Sequence, residues 1–401
     1  MTAPLLSLDP PALDRLPQVT AALAARAAEH DRDASFPYEG VAAAHGAGLL
    51  TATVGREFGG PGGGLADTVR ILQALGGGDP AVALVTAMTL FTHAVQARSG
   101  GWPPEVYGQL LREAAAGPVL VNALRVEPEL GSPVRGGLPV TVARRQGDHW
   151  ELTGHKIFST GAEALGWMLV WARTDETPVR TGSFLVRGGS EGITVLPTWN
   201  HVGLRASRSD DVLLDRVRVP LDHVAGLSEP GATGGRDVVV GAWNSLGLTA
   251  LYLGVARAAQ DWLTGFLHQR VPTALGRPLA TLPRFQTAVG EIDVALGGAE
   301  RLIRALAEDV DGGGPAALAA AHQAGGAKVL STRAAIGAVE QALALTGNHG
   351  LTYDNPLQRH HRDVLCSRVH TPQDDMSLLA AGQAALAASP FASATQPQKG
   401  N

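Results

Sequence analysis

One cysteine, Cys366, stands alone in 401 residues. It excludes an internal disulfide framework and a metal cage built on thiolates. Aromatic residues make up only 5% of the chain and charged residues 17%. No basic block interrupts that sparse charge, and the formal net charge is −5, so nucleic acid is not an expected partner. The first residues, MTAPLLSLDPPALD, lack a basic segment followed by a long apolar run, so no signal peptide is expected. No uninterrupted apolar stretch is long enough to span a bilayer, so no membrane is expected either. The histidines are too scattered for a metal site, and none is expected. These absences point to a cytoplasmic enzyme. What the chain does have is apolar residues, 45% of the total, enough for two or three packing units. Its 50 glycines and 25 prolines fall mainly at turns and junctions.

The periodicity divides the chain in three. Residues 11–30, 38–49, 65–75, 80–98 and 104–116 read as helices, the run after Pro80 being almost wholly apolar. A loop, GREFGGPGGG at 55–64, separates the second helix from the third. At Gly117-Pro118 the pattern shortens to runs rich in β-branched and aromatic residues, broken by Gly, Pro, Asp and Asn, as far as Val219. Long helical stretches return at 237–269, 284–310 and 315–346, with a last one at 376–388. The expected fold is α+β: an N-terminal helical domain (1–117), a middle antiparallel β-barrel (118–224) and a C-terminal four-helix bundle (225–401).

Five segments carry a resemblance. GREFGGPGG is a glycine-rich loop. VEPELGSP at 126–133, LTGHKIFSTGA at 152–162 and GLRASRSDDVLLDRVRVP at 203–220 lie in the β unit. QALALTGNHGLTYDNPLQRHHRD at 341–363 closes the bundle. In this order and spacing they resemble the acyl-CoA dehydrogenase superfamily of flavoproteins across nearly the whole chain. The resemblance implies a flavin, FAD or FMN, against the platform Phe158-Ser159-Thr160-Gly161, with Gly131 and Ser132 beside it. Phe158 would cover a ring face and Thr160 bond near the reactive nitrogen. It implies further cofactor contacts from Gln286, Gln341, Gly347 and Gly350, the two glycines reaching the pyrophosphate of a neighbouring subunit's cofactor. Leu275 stands where the family has its adenine-side arginine, and Arg277 and Arg270 are the substitutes. A homotetramer, or a homodimer, is the implied assembly.

The chain departs from the family at the catalytic base. A dehydrogenase needs a carboxylate to remove the proton α to the thioester. The two positions that hold this Glu in family members hold Thr371 and Asn244 here, and neither side chain becomes anionic near neutral pH. Asp374 and Asp375 are the nearest carboxylates downstream. The run VHTPQDD resembles instead a branch of the same fold that reacts reduced flavin with dioxygen, the dibenzothiophene-monooxygenase-like enzymes. That likeness gives catalytic roles to His93, His370 and Ser159 (or Thr160). Against it stand plainer readings: His93 as a core histidine, His370 as a surface or interface histidine, Ser159 and Thr160 as ordinary strand residues. His360 and His361 could bind a phosphate or join an interface cluster. Asp363 is expected to orient arginines, and Cys366 to be inert packing.

Three functions follow: a reduced-flavin, O2-dependent monooxygenase fed by a flavin reductase; an acyl-CoA dehydrogenase passing electrons to an electron-transfer flavoprotein; or a flavin-binding protein without catalysis. The missing Glu and the retained histidines favour the first. Trp243, Leu248 and Tyr252 point to an apolar, aromatic or acyl small-molecule substrate.

Overall fold

Alanine- and leucine-rich runs build the first layer. The computed structural model describes residues 11–131, 137–230 and 237–389. The helices ahead of the first strand are α1 (Pro11–Asp14), α2 (Leu16–Asp33), α3 (Tyr38–Gly46), α4 (Leu65–Gly78), α5 (Pro80–Ser99) and α6 (Pro104–Ala116). The start of α5 is set locally. Asp79 accepts a hydrogen bond from the Ala81 N–H at 2.8 Å, and Pro80 costs no hydrogen bond at the first helical position.

The β unit is one eight-stranded sheet. Its strands are β1 (Leu120–Leu124), β2 (Val142–Gln146), β3 (His149–Lys156), β4 (Leu165–Thr174), β5 (Thr181–Arg187), β6 (Ile193–Leu196), β7 (Asp211–Pro220) and β8 (Val224–Ser228). They lie in the order β6-β7-β3-β2-β4-β5-β8, with β1 also on β4. The expected antiparallel pairing holds for β2–β3, β3–β7, β4–β5, β5–β8 and β6–β7. The exceptions are at β4, which pairs in parallel with β1 along 165–170 and with β2 at 173–174. The two short strands occupy successive stretches of β4, so both run its way. The sheet continues to Ser228, past the expected boundary at 224.

The last unit holds α7 (Val238–Gln269), α8 (Pro283–Gly312), α9 (Gly314–Thr346), α10 (Leu357–Leu365) and α11 (Asp374–Ala387). Both α5 and α7 are long and apolar enough to cross a membrane by length and composition, although no unbroken apolar run is. In each, 72% of the most apolar window is buried inside the fold. Their apolarity therefore serves a protein core. Leu246, Leu251 and Leu253 of α7 are fully buried, and each such side chain contributes roughly 1.5–3 kcal/mol.

Helix α7 packs against α4 at backbone distance. A Cβ on Gly76 would lie 2.2 Å from the Leu251 carbonyl oxygen, and one on Gly254 would lie 2.1 Å from that of Gln73. Asp311 of α8 then caps α4, accepting from the Leu65 and Ala66 N–H groups at 2.7 and 2.8 Å. The N-terminal helices and the C-terminal bundle thus share one core, and the sheet lies against α5.

Candidate active site

A buried ion pair fixes the end of β3. Lys156 donates to Glu127 Oε1 and to the Trp171 carbonyl, both at 2.6 Å. Glu127 also accepts from the Val140 N–H (2.6 Å), the Thr141 N–H (3.1 Å) and the Thr141 hydroxyl (2.5 Å). Those donors hold its carboxyl below the usual range against the opposing effect of burial. The next residue, Ile157, donates its N–H to the Val126 carbonyl at 3.0 Å. The platform therefore starts from a rigid seat.

The chain then turns sharply. Phe158 sits at φ +56°, a left-handed conformation that costs a non-glycine residue about 1 kcal/mol or more. The turn is over-determined by its neighbours. Ser159 N–H donates to the Asp210 carbonyl (3.1 Å) and Gly161 N–H to the Ser207 carbonyl (2.9 Å). The Thr160 carbonyl accepts from the Asn122 amide at 3.1 Å. Gly161 lies against Val85 of α5.

This arrangement decides which groups face outward. The Phe158 ring is 54% exposed. Ser159 is enclosed, and its hydroxyl has no protein partner. The Thr160 hydroxyl accepts from Ser209 at 3.1 Å, which leaves its own proton free to donate. An aromatic wall unforeseen in the sequence extends the surface. Trp199 and His201 stack at 3.6 Å and 11°, with the Phe158 ring 6.4 and 6.1 Å from them. Arg208, the cation nearby, is paired with Glu163 and Asp210. An exposed aromatic face and a hydroxyl with a free proton, with Arg208 already paired, fit a flat ring with apolar faces and a polar edge.

His93 is buried on the same face of α5 as Val85 and Thr89, two turns and one turn away. Thr89 accepts from the Val121 N–H at 3.1 Å, tying that face to β1. His93 Nδ1 lies 2.9 Å from the Tyr107 hydroxyl of α6, a partner that no local pattern announces. Burial pushes its pKa down to about 4. His370 follows the 3₁₀ turn Cys366–Arg368. Its ring is 5.7 Å from that of Tyr252 on α7. Its pKa is also pushed down to about 4, first by burial and then by the charge of Lys328. Both imidazoles are therefore neutral at pH 7.

The two positions where the family carries its base meet in space. The Asn244 amide of α7 donates to the Thr371 carbonyl across 127 residues of sequence. Asp374, the nearest carboxylate downstream, pairs with Arg333 of α9 at 3.2 Å. Tyr252 and Leu248, expected to line a substrate pocket, are buried core residues, although the Tyr252 ring does face His370.

The remaining predicted cofactor residues divide: Gly131 stays beside the platform, and Arg277, Gln286, Gln341, Gly347 and Gly350 form a second group. Gly131, at φ +66°, closes a tight turn with Glu127, while Ser132 lies outside the described residues. Arg277 is exposed in the loop after α7, and Gln286, near the start of α8, donates to the Ala280 carbonyl. Gln341 donates to Glu291 at 2.8 Å. Gly347 and Gly350 shape the turn after α9, where His349 approaches Phe266 near the end of α7. Asn244 and Gln269 are 25 residues apart on one helix. At 1.5 Å per residue, about 37 Å of α7 separates this group from the His370 end. One chain does not bring the two groups together.

Asp363 lies within the field of Arg359 and Arg362. It accepts from the Leu204 N–H at 2.7 Å, while Arg362 pairs with Asp31 at 2.5 Å. His360, offered as a phosphate ligand, is buried, with its pKa pushed down to about 3.

Comparison with known proteins agrees with this architecture. Residues 18–100 match the acyl-CoA dehydrogenase N-terminal domain, 125–217 the middle domain and 246–374 the C-terminal domain. The putative acyl-CoA dehydrogenase YdbM of Bacillus subtilis is 30% identical over 352 residues, 87% of this chain and 90% of that protein. The amino sugar nitrososynthase DnmZ of Streptomyces peucetius is 30% identical over 367 residues, 88% of this chain and 87% of the other. Among solved structures, KijD3 in complex with FMN and a dTDP-amino-keto sugar superposes with a TM-score of 0.77 at 28% identity, over 97% of each chain. The three domain matches in order, the strand-rich unit between helical ones and the 30% identity along most of its length place this chain in the acyl-CoA dehydrogenase family.

Proposed function

We propose that this protein is a flavin-dependent monooxygenase that uses reduced flavin and O2 and has given up dehydrogenation of acyl-CoA. The observation that carries the reading is the Asn244–Thr371 hydrogen bond. Both family positions for the base are present and adjacent, and they hold an asparagine amide and a threonine hydroxyl. Neither withdraws a proton α to a thioester. Flavin, when bound, supplies the reducing equivalents and the reaction with dioxygen.

The chain's own residues supply the rest. Phe158 covers a ring face, with Trp199 and His201 extending that wall. Thr160 donates its hydroxyl proton to the polar edge. His93 and His370, both neutral, hold and move protons at their ring nitrogens. Tyr107 orients His93, since Nδ1 is committed to the phenol. The apolar surroundings of α5 and α7 exclude water. Because the second group of cofactor residues stands about 37 Å from the His370 end, it serves the flavin of a second copy in a homodimer or homotetramer. The substrate is a small apolar or acyl molecule, and the reduced flavin comes from a separate reductase.

Acyl-CoA dehydrogenation is the second reading, favoured by the 30% identity with YdbM. Stopped-flow spectroscopy separates the two. The protein loaded with reduced FMN, and separately with reduced FAD, is mixed with oxygenated buffer. The oxidised complex is mixed with a panel of acyl-CoAs. A transient absorbance distinct from reduced and oxidised flavin supports oxygen chemistry. Bleaching by an acyl-CoA overturns it.

A further inference from the structure

Lys328 has no part in the mechanism above, and its position is unusual. It lies on α9 and is 1% exposed, although a buried ammonium is costly unless paired. It donates to the Ser367 carbonyl at 3.4 Å. Ser367 sits in the 3₁₀ turn Cys366–Arg368 that leads directly into His370. Burial lowers the Lys328 pKa, and the charge of Asp374 opposes that shift. The hydroxyls of Ser331, one turn on along α9, and of Ser367 are fully buried without protein partners. One turn back, a Cβ on Gly325 would lie 3.1 Å from the Ser377 hydroxyl and 4.0 Å from Pro372, so this face of α9 packs directly on the segment after His370.

The charged and titratable groups around this junction come from every packed element. Tyr252 of α7 faces the His370 ring, and Asn244 of α7 bonds Thr371. Asp374 opens α11 and is held by Arg333 of α9. Burial first, and then the proximity of Cys366 and Asp363, raises the pKa of the Tyr252 hydroxyl. Lys328 is the cation whose field reaches the imidazole.

We infer that Lys328 is the positioning residue for His370: it ties the turn that presents the imidazole to α9 and sets a fixed positive charge behind the ring. The charge disfavours an imidazolium, so His370 works as a neutral group with one N–H and one free nitrogen. The inference rests on the role proposed for His370. Its test does not depend on that role.

The test follows the titration of His370 itself. The full-length protein is labelled with 13Cε1-histidine, His370→Asn assigns the resonance, and NMR spectra are recorded against pH. In Lys328→Met the midpoint should rise from about 4 by roughly one unit or more, the scale of a charge removed from the neighbourhood of a buried group. Lys328→Gln keeps a donor for the Ser367 carbonyl without the charge. It should show the same rise and remains informative if the methionine variant fails to fold. A midpoint unchanged in the variants that fold overturns the inference, whatever the flavin chemistry. A midpoint that moves, in a protein whose reduced-flavin complex shows no oxygen-derived transient, leaves the Lys328–His370 link standing and sinks the monooxygenase reading instead.

Discussion

Removing the cation beneath the platform should unseat it. In Lys156→Met the buried Glu127 carboxylate keeps three donors, from Val140 and Thr141, but loses its counter-charge. The Trp171 carbonyl loses a donor as well. Both side chains of the pair are almost wholly enclosed. Breaking such a pair from one side costs ~3–5 kcal/mol, and a lost hydrogen bond adds about 1 kcal/mol. The expected loss is therefore about 4 kcal/mol or more, read from guanidinium unfolding near neutral pH, below the Lys156 pKa that burial pushes down to about 8. The pH dependence identifies the cause. Glu127 has a depressed pKa in the folded state, so its stabilisation is present above its ordinary value of 4.5 and is lost as pH falls through the folded value. In the variant the carboxylate is unpaired, so its penalty is largest at neutral pH and shrinks as acid protonates it. Adding Glu127→Gln should recover most of the loss, because an amide carries no charge to strand. A loss below 1 kcal/mol that does not vary with pH, with no recovery in the double variant, would refute the argument.

Three further outcomes follow from buried groups. Burial raises the Asp363 pKa to about 7, so on folding it takes up a proton between its ordinary 3.8 and about 7. Its contribution to stability therefore falls as pH rises across that window, by up to roughly 4 kcal/mol. Asp363→Asn keeps an acceptor for the Leu204 N–H and should flatten melting temperature against pH between 4.5 and 7.5; curves parallel to the wild type would count against it. Tyr107→Phe leaves a buried His93 nitrogen without its partner and should cost about 1–3 kcal/mol in chemical unfolding, whereas an unchanged midpoint would mean that the phenol holds nothing. Gly254→Ala forces a methyl to within 2.1 Å of the Gln73 carbonyl and should cost ~1–3 kcal/mol in the same assay, more than an exposed glycine such as Gly241 of the same helix.

The order of elements was legible because it rests on local pattern. Helical period, strand alternation and glycine or proline breaks all act within a few residues. Asp79-Pro80 marks the start of α5 as clearly in sequence as in space. What escaped was set by distance. Tyr107 reads as one more apolar position on α6, and only the crossing of α5 and α6 makes it the partner of His93. Trp199 and His201 are two apart in a loop, so their stacking belongs to no regular period. Lys328, in an alanine-rich helix, reads as a solubilising charge, yet its face of α9 is the one that packs on the His370 turn. The parallel pairs at β4 arise from two short strands sharing one neighbour, which alternation alone does not encode. Polar residues break up α5 and α7 as strings without removing their helical apolarity.

The exchange of the catalytic carboxylate and the buried lysine act on His370 with the same sign. A Glu at 244 or 371 would lie beside the imidazole and favour its cationic form, raising its pKa. The amide of Asn244 exerts no such pull, and it is held against the Thr371 carbonyl, where it cannot approach as an anion. Lys328 adds repulsion from the opposite helix. A carboxylate base and a neutral histidine are therefore competing solutions within one pocket. On the proposed function, with an amide at 244 and a threonine at 371, neither position opposes the lysine's effect, and the imidazole is the proton-handling group.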